Sequence, residues 1–235
     1  RWDIPGSPQL PLVTEEDIAC VTISAAAALG IVWPQGDGYR KKVIEVGSGP
    51  HDPIVTPDGQ SILVPCAGAG DVVRVSLSDG RITGRFMVGD GPAHIAVHPD
   101  GTRIYVANTF DGTLTCISPE GDLLNQVTSG RWAHVPKVIP DGRLVYVANF
   151  FDDTLAVFDA WTLEHVAVLN TDAYPHGLDI SPDGNSVVVT GFSSDHVRVF
   201  DATAYEEKAR IKVGEGSAHT AFLTDNRTAF VGCSI

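Results

Sequence analysis

"GPAHIAVHPDGTRIYVAN", residues 91–108, decides the fold. Two short runs rich in β-branched and aromatic residues flank the turn Pro99-Asp100-Gly101, and His94 stands five residues before it. The same arrangement returns as "GPHDPIVTPDG" (49–59), "WAHVPKVIPDG" (132–142), "YPHGLDISPDG" (174–184) and "GSAHTAFLTDN" (216–226). The turns begin at Glu15, Pro57, Pro99, Pro140, Pro182 and Thr224, with gaps of 42, 42, 41, 42 and 42 residues. One supersecondary unit is therefore repeated six times.

Within a unit, Gly, Asp, Asn and Pro divide the chain into four strand-like runs. In residues 92–128 these are expected at His94–His98, Arg103–Asn108, Thr113–Ser118 and Leu123–Val127. Helical periodicity is absent. Four antiparallel strands every 42 residues predict an all-β protein, a β-propeller whose sheets bury both faces by stacking on their neighbours.

The blocks "VGDGPAHIAVHPDGTRIYVAN" (88–108) and "IPDGRLVYVANFFDDTLAVFD" (139–159) resemble the YVTN-type β-propeller repeat, over roughly residues 43–233. That resemblance extends to the propellers of amine dehydrogenases, haem d1 proteins, lactonases and copper enzymes, and it implies a periplasmic or secreted setting. Fold alone selects none of these chemistries. Two blades depart from the pattern. The first, "PQLPLVTEED" (8–17), has Gln9 in place of the histidine and Glu15-Glu16-Asp17 in place of Pro-Asp-Gly, and the fourth begins Gly130-Arg131-Trp132-Ala133.

The chain is read as one propeller domain over residues 1–235, with blades at about 8–47, 50–89, 92–128, 132–170 and 175–214 and a partial one at 217–235. A complete ring would hold six to eight blades, so the sequence is expected to be a fragment that is incomplete at its C-terminus. Arg1–Pro5 aligns with an outer strand.

Charge and composition narrow the function. A net charge of −13 opposes attraction to phosphate backbones, which excludes a nucleic-acid binder. No apolar stretch reaches the roughly 20 residues needed to span a bilayer. The cysteines Cys20, Cys66, Cys116 and Cys233 lack C-x-x-C spacing and read as separate buried thiols. H-E-x-x-H, G-x-S-x-G and the P-loop are all absent.

In a propeller the first strand of each blade lines the channel, which places His51, His94, His134, His176 and His219 at one mouth. A set of imidazoles there suits Cu, Zn or Fe, which makes these five the candidate metal ligands. The alternative is structural: each imidazole serves the backbone where the chain enters the strand. His51, His134 and His176 lie six residues before their turns and His94 and His219 five, an offset that only a bulge would reconcile. Gln9, Arg131, Trp132, Cys66 and Cys233 are possible further contacts on that face. His98, His165 and His196 fall outside the set. Catalytic residues are not assigned by the sequence.

Three readings of function follow. The first is a metal- or metallo-cofactor-binding propeller, possible as an oxidoreductase; the second is a non-catalytic scaffold with a protein partner; the third is a lactonase-like hydrolase of a small molecule.

Overall fold

The run "LVYVAN" (144–149) has no polar face, and such continuous apolarity demands cover on both sides. In the computed structural model, which describes residues 8–234, it is the second strand of a four-stranded antiparallel sheet and is buried almost throughout. The expected outer strand at Arg1–Pro5 lies outside the described residues, as does Ile235.

The first sheet holds β1 (Pro8–Val13), β2 (Ala19–Ile23), β3 (Ala28–Gln35) and β4 (Gly38–Glu45). The second holds β5 (Ile54–Val55), β6 (Ser61–Cys66), β7 (Asp71–Ser76) and β8 (Ile82–Met87), and the third β9 (Pro92–Val97), β10 (Ile104–Asn108), β11 (Thr113–Ile117) and β12 (Leu123–Thr128). Then come β13 (Ala133–Val138), β14 (Leu144–Asn149), β15 (Thr154–Asp159) and β16 (His165–Asn170), followed by β17 (Pro175–Ile180), β18 (Ser186–Gly191), β19 (His196–Asp201) and β20 (Glu207–Lys212). β21 (Ser217–Phe222) pairs with β22 (Ala229–Cys233). Among the described residues the one helical element is a 3-10 turn, Ser24–Ala26. Each sheet is a propeller blade whose strands follow in sequence order.

The chain divides into two compact units, residues 1–108 with 115–124 and residues 109–114 with 125–235. In unit one, Ile62 and Val64 of β6 pack with Leu29, Ile31 and Trp33 of the first blade. Leu63, on the other face of β6, packs instead with Ile104 and Val106. The period-2 alternation of a strand thus serves two interfaces at once. In unit two, Tyr146, Ala148, Leu155 and Val157 meet Leu178, Ile180, Val187 and Val189. The buried Tyr146 hydroxyl donates to the Ala202 carbonyl at 2.8 Å, so its polar tip is satisfied inside an apolar contact.

The Pro-Asp-Gly turns have a common mechanism. Asp58 Oδ1 accepts the Gln60 N–H at 3.0 Å and the Thr56 hydroxyl at 2.6 Å, while Gly59 takes φ +68°. Asp183 repeats this with Asn185 and Ser181. The first blade reaches the same shape with other residues: Thr14 Oγ1 accepts from Glu16 and Ile18, and Asp17 supplies the positive φ of 60°.

Candidate functional site

The five histidines sit where each blade's first strand begins. The register offset is absorbed there, because every one of these strand starts carries one extra residue. Pro92 and His94 face Asn108 and Ala107, Ala133 and Pro136 face Asn149 and Val147, and Pro175 and Leu178 face Gly191 and Val189. Ser217 and His219 face Cys233 and Gly232, and the second blade skips likewise between the Pro50–Cys66 bridge and Ile54–Leu63. Such bulges re-aim side chains without disturbing the ladder beyond them.

In unit one, the imidazoles of His51 and His94 meet edge to face with centroids 4.8 Å apart. His94 is buried, and its Nδ1 lies 3.2 Å from the Asp52 carboxylate. A ring N–H donating to a carboxylate fixes the tautomer and leaves the lone pair on Nε2. The surroundings are small: the loop after β6 is Ala67-Gly68-Ala69-Gly70. Ala67 and Gly68 donate N–H groups to the carbonyls of Gly49 and Ser48. A Cβ on Gly49, at φ +65°, would stand 2.9 Å from the Gly68 nitrogen.

In unit two, three imidazoles form a row. His134 and His176 are 4.8 Å apart and His176 and His219 5.1 Å, all edge to face. His176 Nδ1 donates to the Ala218 carbonyl at 2.9 Å, 42 residues away in the next first strand, which puts its lone pair on Nε2. Gly177 permits that bond, since a Cβ there would meet Ala218 O and Thr190 Oγ1 at 2.6 Å each. The Thr190 hydroxyl in turn accepts the Gly177 N–H at 2.8 Å.

Around this row stand aromatic side chains, of which the sequence reading named Trp132 and missed Phe110, Phe150, Phe151, Tyr174 and Phe192. Trp132 lies between Phe110 (5.4 Å) and Phe151 (5.1 Å), and Phe150 stacks on Tyr174 at 5.0 Å. Phe150 also contacts His134 and His176, and Phe192 approaches His176 at 5.8 Å. A signal was present in the sequence: Phe110, Phe151 and Phe192 recur every 41 residues, just after the second strand of their blades.

The other candidate contacts divide. Trp132 lies among the aromatic side chains, against Phe110 and Phe151. Arg131 is not an available cation, because its Nε lies 2.6 Å from Asp152 Oδ1 and its backbone N–H donates to Asp152 Oδ2 at 2.7 Å. The Arg131 guanidinium correspondingly holds the Asp152 carboxyl below the usual carboxylate range. Cys66 must be corrected: it is fully buried, its Sγ lies 3.7 Å from the Val46 and Val64 carbonyls, and burial pushes its thiol up to about 12, so it offers no thiolate. Cys233 is exposed. Gln9 lies in β1, with its side chain outside the described residues. Among the described residues no three His, Cys, Asp or Glu side chains are grouped to hold one metal ion.

A concavity of unit one, about 1070 Å³, lies instead at the Pro-Asp-Gly end, lined by Thr14, Trp33, Pro57 and Arg74 among others. It contains no imidazole or thiol, and its Asp58 is occupied by the turn.

Known proteins place this geometry. Residues 31–209 match the family model described as lactonase, 7-bladed beta-propeller, which is more than half of the chain. The chain belongs to the lactonase seven-bladed β-propeller family. Among solved structures this lactonase-family chain is similar to a Desulfotomaculum acetoxidans protein of unknown function (18% identity, TM-score 0.81, covering 99% of this chain and 81% of that one). It is also similar to a Bacteroides fragilis protein described as a 6-phosphogluconolactonase (20%, 0.76, 88% and 71%). A third is Kuenenia stuttgartiensis hydrazine synthase (24%, 0.71, 76% and 54%), of which the family member spans about half the length. Such identities establish the fold. No curated protein matches the chain.

Proposed function

We propose that this protein hydrolyses a lactone at the histidine end of unit two, with His176 as general base. The observation that carries the reading is the bond from His176 Nδ1 to the Ala218 carbonyl, in a chain of a lactonase family. With that proton fixed, Nε2 is the basic nitrogen.

In the proposed step a water oxygen bonds to the lactone carbonyl carbon while its proton passes to His176 Nε2. The imidazolium is steadied by the carbonyl that Nδ1–H already faces. The ring C–O bond then breaks, the ring oxygen takes the proton from Nε2, and a hydroxy acid leaves. His134, buried beside His176 with the two rings edge to face, holds the His176 ring in position. A pH-stat assay with simple lactones tests this. Release of one acid equivalent per lactone, lost in His176→Ala, is expected; undiminished hydrolysis by that variant overturns it.

The close imidazole row also supports a second reading, in which a transition metal such as Cu, Zn or Fe is held by pairs like His134 and His176. Elemental analysis of untagged protein separates the two. A stoichiometric metal lost in His134→Ala and His176→Ala would favour the second.

A further inference from the structure

We infer that the substrate is an uncharged lactone carrying an aryl or alkyl group, seated on the aromatic side chains of unit two, and not a phosphorylated sugar lactone. This rests on the hydrolase reading and adds a substrate class to it.

The first ground is exposure. Phe110, Trp132, Phe151, Tyr174 and Phe192 are 36% to 56% exposed, yet they contact one another or the histidine row. Large aromatic side chains grouped at the surface beside polar groups are the composition of a binding site. Their rings lie tilted or edge to face on one another at 5.1 to 6.1 Å, which leaves a contiguous apolar surface beside the histidine row.

The second ground is backbone conformation. The residue that precedes each of these first strands has a left-handed backbone: φ is +65° at Gly49, +68° at Gly91, +60° at Trp132, +58° at Tyr174 and +67° at Gly216. Three blades use glycine, for which this conformation carries no steric cost. The two that do not place a tryptophan and a tyrosine there, at the histidine row. Nothing in the fold requires this, since the neighbouring blades make the same connection with glycine: Ala67 N–H bonds to Gly49 O as Phe192 N–H bonds to Tyr174 O. Strain retained at two adjacent blades, both with aromatic side chains, points to a ligand.

The third ground is charge. The five loops 109–112, 129–132, 150–153, 171–174 and 192–195 contain Asp111, Asp152, Asp153, Asp172 and Asp195, and Arg131 is their one cation. Arg131 is paired with Asp152, while Arg210 and Lys212 from β20 are paired with Asp172 and Asp195. A phosphate dianion would meet carboxylates here and no uncommitted cation in these loops. An apolar ring meets flat hydrocarbon.

The test uses the full chain and two substitutions that restore the repeat's own residue, Trp132→Gly and Tyr174→Gly, which suit the left-handed backbone and should fold. Binding is measured by calorimetry in the His176→Ala background with dihydrocoumarin and with 6-phosphoglucono-δ-lactone, and turnover of both by pH-stat with His176 intact. We expect dihydrocoumarin to bind and the phosphorylated lactone not to, with dihydrocoumarin affinity falling about two- to tenfold for each aromatic ring removed. Preference for the phosphorylated lactone, no dihydrocoumarin binding, or dihydrocoumarin affinity unchanged in the double variant overturns the inference. Turnover reports separately. Binding that depends on Trp132 without hydrolysis would sink the hydrolase reading and keep the ligand class; hydrolysis indifferent to both substitutions would do the reverse.

Discussion

The histidine ends of units one and two occupy the same place in the repeat and are built oppositely. In unit one His94 has the stronger support, the Asp52 carboxylate, but it is buried among loops of alanine and glycine. In unit two His176 has a backbone carbonyl behind it, and it is half-buried and adjoins exposed aromatics. The difference teaches that access, as much as basicity, selects among equivalent positions of a repeat.

The largest expected effect tests that contrast directly. His176→Ala should lower kcat/KM by about 10²- to 10⁴-fold, the usual contribution of a general base, with little change in melting temperature. His94→Ala should lower the melting temperature and leave lactone hydrolysis in the folded fraction intact. Steady-state kinetics beside calorimetric melts read both, and the opposite pattern would move catalysis to the Asp52–His94 pair.

Next in size is the packing of unit one. Gly49→Val forces a β-branched residue to φ +65° with its Cβ against the Gly68 nitrogen, and should cost about 2–3 kcal/mol in urea unfolding. A cost near zero would show that the small-residue end has room for a ligand after all.

The opposite end of the blades is the same in both units, and it predicts a shared acid response. Asp58 is held below the usual carboxylate range by the Thr56 hydroxyl, Asp183 by the Ser181 hydroxyl, Asp100 at about 2 by the Thr102 N–H and Asp225 at about 2 by the Thr228 hydroxyl. Folded pKa values below the unfolded value of about 3.9 give stability that is complete above that pH and is lost as pH falls toward about 2. Melting temperature followed from pH 5 to pH 2, on the order of the window those pKa values define, should decline in that interval. Solvent exposure keeps each share small.

The smallest effect concerns Trp132. Replacing it with glycine relieves the left-handed backbone but loses the contacts with Phe110 and Phe151, so stability should change by less than about 1 kcal/mol in either direction. A larger loss would make the aromatic group part of the fold.

These outcomes turn on details of unequal legibility in the sequence. The 42-residue period and the β-branched runs defined the blades to within a residue or two: the strands expected at Arg103–Asn108 and Leu123–Val127 are found at Ile104–Asn108 and Leu123–Thr128. The lactonase reading was among those the resemblance left open, but the residues did not favour it over the metal-binding one, because strand and turn chemistry is common to every propeller. The histidine positions could be read, but not their partners, since Ala218 lies 42 residues from His176 and is joined to it only through the packing of β17 on β21. Cys66 is the buried thiol its isolated spacing suggested and not the contact its strand-end position allowed, since its side chain points into the contact with Val46. Apart from Trp132, the aromatic group escaped notice because phenylalanine after a strand resembles ordinary core until the loop geometry exposes it.

The extra residue at the start of each first strand has an architectural consequence. Upstream of it the chain can vary in length and side chain; downstream, the ladder from Val97–Ile104 or Val138–Val145 keeps one frame. The repeat is thus a constant frame carrying variable strand entries, with glycine before the first strand at positions 49, 91 and 216 and an aromatic residue at 132 and 174.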